Sequence, residues 1–314
     1  MCRLLRERGL DHIVFDNFEQ GHRESIPGSS YVQGDLRNAA DLNSTFDAYP
    51  QIDLVMHFAA YISVGASVRE PEVYYRNNTT GVLGLLEVMK GRGLDKIVFS
   101  STAAVYGEPH YTPIDEGHPK APTSPYGHSK LAAEWLLDDL GVAHGLKSVV
   151  LRYFNASGAH PSGEIGEDHS PEEHLIPLAI QAATGQRGAL KVFGTDWDTP
   201  DGTCVRDYIH VWDLAHAHLA AIEHLRAGGE SCRYNVGVGA GFSVREVLDT
   251  VSRVGGTLVP SEEADRRPGD PARLIASSEA IQKAWGWSPQ RSDLETIVAD
   301  AWNWHRSHPK GYRS

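Results

Sequence analysis

The chain has 314 residues, 41% hydrophobic and 22% charged, with a net charge of −12 at neutral pH. That length allows a buried core and a second lobe, and the composition is not that of a disordered chain. The negative balance lacks both the basic footprint of a nucleic-acid binder and a polybasic membrane patch. Three cysteines, Cys2, Cys204 and Cys232, form no C-x-x-C pair, so a reducing compartment is expected rather than a disulfide framework. No stretch approaches the ~20 apolar residues of a membrane span, and residues 1–8 are too charged for a secretion signal. A cytoplasmic protein is expected.

In chain order, residues 2–8 read as a helix ended by Gly9. Residues 12–15 form a short apolar strand ending at Asp16, and residues 53–58 another, closed by Ala59 and Ala60. Residues 77–89 have helical spacing, 96–101 read as a strand, 126–137 as a helix and 148–153 as a further strand. Short apolar strands alternating with helices indicate a parallel sheet covered on both faces, the doubly wound Rossmann-type α/β pattern. The second half is less regular, with polar loops at 161–171 and 195–202 and short strands among helices up to residue 287. A boundary near residue 155 separates a Rossmann-type domain (1–155) from a smaller α/β lobe (156–314), with some chain crossing between them. The histidines are scattered; His210, His216 and His218 are the closest group, on an expected helix, and no metal site is expected.

Within Ser124-Pro125-Tyr126-Gly127-His128-Ser129-Lys130, Tyr126 and Lys130 are four apart and share a helix face. A phenol, with its ordinary pKa of ~10, is a poor base at neutral pH, and an ammonium beside it favours the phenolate. The spacing alone fits a solvent-facing pair better than a catalytic one. Ser100-Ser101-Thr102 ends a strand one βα unit upstream, where ligands bind in such sheets; it also fits a simple helix N-cap. Asp16 suits a contact to ribose hydroxyls or a plain turn. Gly34-Asp35-Leu36 could likewise be a turn, and Phe58-Ala59-Ala60 core packing.

Taken in order, these segments resemble the UDP-glucose 4-epimerase family, NAD-dependent members of the extended short-chain dehydrogenases, over nearly the whole chain. The matching segments include Asp16-Asn17, Gly34-Asp35-Leu36-Arg37, His57-Phe58-Ala59-Ala60, residues 100–107, Ser124-Pro125-Tyr126-Gly127 with Lys130, and Arg152-Tyr153-Phe154-Asn155. Residues 202–211, Arg266-Arg267-Pro268-Gly269-Asp270 and Trp302-Asn303-Trp304-His305 complete the set. The resemblance implies that Thr102, Tyr126 and Lys130 are the catalytic hydroxyl, base and lysine. It implies NAD contacts at Asp16, Asn17, Asp35, Leu36, Phe58, Ala59, Ala60, Asn78, Ser100, Tyr126, Lys130 and Phe154. It implies UDP-sugar contacts at Thr102, Asn155, Phe193, Arg206, Arg267 and Asp270, with His174 and Leu175 on the uracil side. Leu274 would border the sugar pocket, where a mid-sized residue is compatible with plain and N-acetylated sugars.

The implied reaction interconverts UDP-glucose and UDP-galactose by transient oxidation at C4, in a homodimer. Ala103 and Ala104 occupy the places where the related 4,6-dehydratases carry an Asp-Glu pair, and alanine cannot move the protons that elimination requires. A further expectation concerns the start. The strand and glycine-rich turn that open a dinucleotide-binding sheet are not among these residues. That strand would be central, so unpaired edges, low stability and weak NAD binding are expected of these residues alone; an inactive UDP-sugar-binding remnant is the competing reading.

Overall fold

The computed structural model describes residues 1–267 and 269–312. The chain divides into two compact units, residues 1–107, 118–153 and 217–234 in one and residues 108–117, 154–216 and 235–314 in the other.

The first unit carries β1 (Ile13–Asp16), β2 (Ser30–Gln33), β3 (Val55–His57), β4 (Lys96–Thr102) and β5 (Lys147–Tyr153). β4 pairs in parallel with β3 on one side and β5 on the other, with Thr102 opposite Tyr153. Val98, Phe99, Val149 and Val150 on these strands are at most 1% exposed, as a parallel sheet covered on both faces requires. Residues 232–234 of the strand Cys232–Val236 extend this sheet beyond β5. β1 and β2 form a separate parallel pair, so β1 and β3 are both edge strands among the described residues. Accordingly Ile13, Val14, Phe15, Val55 and Met56 are only half-buried.

The helix Pro125–His144 starts where Ser124 accepts the Gly127 N–H and Pro125 takes the first turn, where its missing N–H costs nothing. It stops at Gly145 in the left-handed conformation, a frequent helix end. The helix expected over 77–89 is divided: a π-turn covers Tyr75–Thr80 and an α-helix Gly81–Gly91. The π-turn aims two consecutive side chains at one place. Asn78 Nδ2 donates to Ser129 Oγ at 3.2 Å and Thr79 Oγ1 donates to the Ser129 carbonyl at 3.0 Å.

The second unit is built on the helices Leu175–Ala183, Val244–Gly255 and Leu294–Ser307, which meet through Ile176, Ile180, Val247, Val251, Ile297 and Val298. Strand Leu190–Phe193 pairs in parallel with Ser261–Ala264. Val205–Arg206 lies between Phe242–Ser243 and Arg273–Leu274, and Asn155–Ser157 pairs with Tyr208–His210. No helix among the described residues is long and apolar enough to cross a membrane.

Candidate active site

Thr102 ends β4 and its Oγ1 accepts the Ala104 N–H at 3.1 Å, so it caps the short turn Ala103–Val105. The cap explains part of its presence but not all, because the Thr102 hydroxyl also acts on the Tyr126 phenol, favouring its ionised form. Gly127 lets the two segments approach: a Cβ there would lie 2.6 Å from the Ala104 carbonyl oxygen. Tyr126, Lys130 and Glu134 follow at four-residue intervals on one face of the helix.

Burial pushes the Tyr126 phenol above its ordinary value, and the Thr102 hydroxyl opposes the shift. Lys130 is 2% exposed, with Nζ 4.4 Å from the centre of the Phe99 ring. Burial lowers it to about 7, with Glu134 opposing. Lys130 can therefore gain or lose a proton close to neutral pH, as a group that assists proton transfer must.

This depression has a measurable consequence. The unfolded chain keeps the lysine proton up to about pH 10.5, whereas the folded chain gives it up near 7. Between these limits the unfolded state binds more protons, so stability rises with pH, and below 7 the buried charge costs stability in full. Lys130→Met is expected to raise stability at pH 7 and to flatten its rise between pH 7 and 10, measured by urea unfolding at several pH values.

A buried ion-pair network fixes the helix against the sheet. Arg152, opposite Ser101 on β5, donates to Glu134 at 3.0 Å (Nε to Oε1) and 2.6 Å (Nη2 to Oε2). Ser101 Oγ donates to Glu134 Oε1 at 2.6 Å, and Arg152 Nη1 donates to the Tyr106 hydroxyl oxygen at 2.8 Å. Arg152 and Glu134 are 0% and 1% exposed. Burial opposes the Arg152 charge, but the Glu134 hydrogen bonds more than compensate and hold it above its ordinary value. The network thus joins the residue before Thr102 to the helix one turn beyond Lys130.

Of the expected cofactor residues, Asp16, Asn17 and Asp35 gather at the end of β1. Asp16 Oδ1 accepts the Phe18 N–H at 2.7 Å, and Asn17 Nδ2 donates to Asp35 Oδ2 at 3.3 Å. Hydrogen bonds from Arg37 hold the Asp35 carboxyl far below its ordinary range, so it is ionised; Leu36 lies between the two, half-buried. Phe58, Ala59 and Ala60 follow β3, with Phe58 44% exposed and its ring 4.8 Å from that of His218. Asn78, 1% exposed, accepts the Tyr61 N–H at 2.9 Å and donates to the Tyr61 carbonyl at 3.0 Å. It ties the loop after β3 to Ser129, between Tyr126 and Lys130 on the helix. Burial pushes the Tyr153 phenol well above its ordinary value, and the Ser100 hydroxyl opposes the shift. Phe154 belongs to the second unit.

A small polar turn, two ionised or ionisable carboxylates and an exposed aromatic at strand ends form the donor and acceptor set that ribose hydroxyls and an adenine or nicotinamide ring require. His57, at the end of β3, adds a feature that sequence reasoning did not single out. It is 4% exposed, stacked on Phe99 at 5.2 Å, and neither ring nitrogen has a hydrogen-bond partner among the described residues. Burial, then the nearby Lys130 charge, lower it to about 3, so it is neutral.

The expected UDP-sugar residues lie in the second unit, Thr102 excepted. Arg206 donates to the Pro271 carbonyl at 2.8 Å and to its neighbour Val205 at 3.0 Å, and its Nη2 stands 3.7 Å from Asp270 Oδ1. Leu274 is its partner in the adjacent strand. Arg267 stacks over Phe193 at 4.4 Å, and its carbonyl accepts the Asp270 N–H at 3.3 Å. Arg206, Asp270, Arg267, Phe193 and Leu274 are thereby one connected group; Pro268 lies outside the described residues. Asn155 Nδ2 donates to the Asp207 carbonyl at 2.7 Å. Arg266, which sequence reasoning did not assign, stacks over Trp197 at 4.0 Å and pairs with Asp196 at 2.7 Å.

His174 faces two carboxylates. Its Nδ1 meets Glu167 Oε1, and burial is outweighed by bonds to Glu167 and Glu172 that raise it to about 10. Leu175 follows it as the first residue of its helix. His210, His216 and His218 take three separate partners: Asp300 at 3.0 Å, the Trp212 carbonyl at 2.9 Å, and Tyr153. Only the latter two lie on the helix Val211–Arg226; His210 ends a strand.

A parallel α/β sheet with a hydroxyl at a strand end facing a Tyr-x-x-x-Lys helix defines a short-chain dehydrogenase-like nucleotide-sugar enzyme. Residues 1–237 match the model of the NAD dependent epimerase/dehydratase family, and the chain belongs to that family. It is 52% identical over 308 residues to a UDP-glucose 4-epimerase of Halalkalibacterium halodurans, covering 98% of this chain and 92% of that one. A crystal structure of UDP-glucose 4-epimerase from Brucella ovis in complex with NAD matches with a TM-score of 0.93 and 45% identity, over 96% of this chain and 92% of the other. The enzyme from Bifidobacterium longum in complex with NAD+ and UDP matches with a TM-score of 0.94 and 38% identity, over 99% and 95%.

Proposed function

We propose that this chain interconverts UDP-glucose and UDP-galactose with NAD as its cofactor. The observation that carries this reading is the site at the end of β4: Thr102, whose hydroxyl acts on the Tyr126 phenol, Lys130 one turn on, and only Ala103 and Ala104 where an eliminating enzyme would need proton donors. When bound, NAD supplies reversible uptake of hydride from the sugar carbon. Asp16, Asn17, Asp35, Leu36, Phe58, Ala59, Ala60, Asn78, Ser100 and Phe154 would hold it, together with Tyr126 and Lys130. Thr102 orients the 4-hydroxyl, Tyr126 takes its proton and later returns one, and Lys130 eases the charge on the phenol. Arg206 and Arg267 hold the diphosphate, because a guanidinium fork matches phosphate oxygens. Asp270 positions Arg206, while Asn155, Phe193, His174, Leu175 and Leu274 shape the sugar and uridine ends.

Incubation with UDP-galactose and NAD, followed by sugar analysis, is expected to yield UDP-glucose. A 4-keto-6-deoxy product would overturn the reading in favour of a dehydratase. Arg206→Ala is expected to raise KM for UDP-galactose by roughly 10- to 100-fold with kcat little changed, the loss of one charge-assisted contact made equally in ground and transition states. Initial rates across a substrate series check it.

The same reading includes a cytoplasmic homodimer that binds no nucleic acid. Exposed apolar side chains on helices of the first unit support the dimer: Val68 at 64% on Val64–Arg69 and Trp135 at 58% on Pro125–His144. Sedimentation equilibrium tests it, and a monomer at micromolar concentration would overturn it.

A further inference from the structure

The second unit holds a group of side chains of which the epimerase reading gives a task only to His174, on the uracil side. Glu167, His169, Glu172 and His174 lie within eight residues, in the loop that runs into the helix Leu175–Ala183. Each offers one atom, and the four atoms all lie within 4.8 Å of one another. His169 Nδ1 is 3.1 Å from Glu167 Oε1 and 3.7 Å from Glu172 Oε1. His174 Nδ1 is 3.5 Å from Glu172 Oε1 and in contact with Glu167 Oε1. From these positions we infer that Glu167, His169, Glu172 and His174 form a binding site for one zinc ion.

The spacing decides the kind of ion. Four ligands at about 2.0–2.1 Å from a tetrahedral centre stand roughly 3.3–3.4 Å from each other. Three of the separations, 3.1, 3.5 and 3.7 Å, straddle that edge, while the His174–Glu167 contact is shorter, so those two atoms must part by about an ångström as the ion enters. Two imidazole nitrogens with two carboxylate oxygens suit Zn2+, whereas Ca2+ requires about six to eight oxygens at longer range and Mg2+ prefers an octahedron of oxygens. The site is also held in place. The Glu167 carbonyl accepts Trp304 Nε1–H at 3.1 Å, and Trp304 is 0% exposed. Gly166 donates to the Tyr312 hydroxyl oxygen at 3.0 Å, and Tyr312 N–H donates to Asp168 Oδ2 at 2.9 Å. Glu172 Oε1 accepts the His174 N–H at 2.9 Å, which fixes the carboxylate before any ion arrives.

With four protein ligands there is no open position, so this ion is structural. It would join the loop anchored on Trp304 and Tyr312 to the residue that opens the helix Leu175–Ala183.

The full chain, stripped with a chelator and dialysed, is titrated with Zn2+ alone by calorimetry and with Co2+ by visible absorption. One Zn2+ per chain and the intense d–d bands of tetrahedral Co2+ are expected. His169→Gln and Glu172→Gln are each expected to weaken Zn2+ at least about 100-fold, as loss of one of four ligands should, with far-UV circular dichroism unchanged. Zn2+ should raise the Tm of the parent chain but not of either variant. A Cys2→Ser, Cys232→Ser double variant is expected to bind as the parent does. Failure of the parent to bind stoichiometric Zn2+, octahedral Co2+, binding that survives both ligand variants, or binding lost with the cysteines would each overturn the site.

Discussion

Tyr126→Phe is expected to lower kcat for UDP-galactose on the order of 10³-fold, within the range that a positioned acid-base group supplies. The effect should fall on kcat rather than KM, because the phenol oxygen acts on the proton that moves and the diphosphate contacts are elsewhere. Folding should survive. The ring is half-buried, its surroundings already disfavour the ionised form, and phenylalanine fills the same space. Thr102 would keep the Ala104 N–H. Neither Thr102 nor Lys130 can replace the lost group: an alcohol is too weak a base, and Lys130 sits one helical turn away against Phe99. Stopped-time product analysis with matched thermal melts checks the result, and ordinary turnover in the variant would refute the assignment of Tyr126.

Arg152→Met should produce the largest loss of stability, about 3–5 kcal/mol, because it leaves the Glu134 carboxylate buried without its partner. Glu134 is 1% exposed and would retain only the Ser101 hydroxyl at 2.6 Å and Arg233, whose Nε lies 3.7 Å away. Tyr106 would lose the Arg152 donor at the same time. Pairing the change with Glu134→Met removes the stranded charge, and the double variant should recover most of the loss, since an apolar pair of similar volume is often no less stable than a buried ion pair. Activity separates stability from positioning. If the network aligns the helix with β4, the double variant should melt near the parent temperature yet turn over more slowly, with kcat affected more than KM. Equal stability of Arg152→Met and the parent would refute the account.

The parts of the fold legible in the sequence are those specified by neighbours in the chain. The apolar run ending at Thr102 and the four-residue spacing from Tyr126 to Lys130 need only strand and helix geometry, and both elements form where the pattern places them. What was not legible depends on partners far apart. Glu134 resembles any exposed helix glutamate until Arg152, opposite Ser101 in the neighbouring strand, reaches it. The π-turn at Tyr75–Thr80 arises because Asn78 and Thr79 both find Ser129, some fifty residues later, a preference that helical periodicity does not register. β2 escaped notice because Ser30–Gln33 is short and polar at both ends and is recruited by backbone pairing to β1. The grouping of residues 167–174 was hidden for the opposite reason. It is local, but the ligands come from an irregular loop whose path is set by Trp304 and Tyr312.

The separate pairing of β1 and β2 bears on how the molecule fluctuates. Among the described residues these strands pair with each other and with no third strand, and their apolar residues are only half-buried. Their amide protons should therefore exchange with deuterated solvent through local opening, at free energies well below that of global unfolding, while those of β4, enclosed between β3 and β5, exchange only when the unit as a whole unfolds. Asp16 and Asp35, on the mobile side of that division, would be ordered by a ligand that bridges them, so slowed exchange in β1 is a direct signature of cofactor engagement.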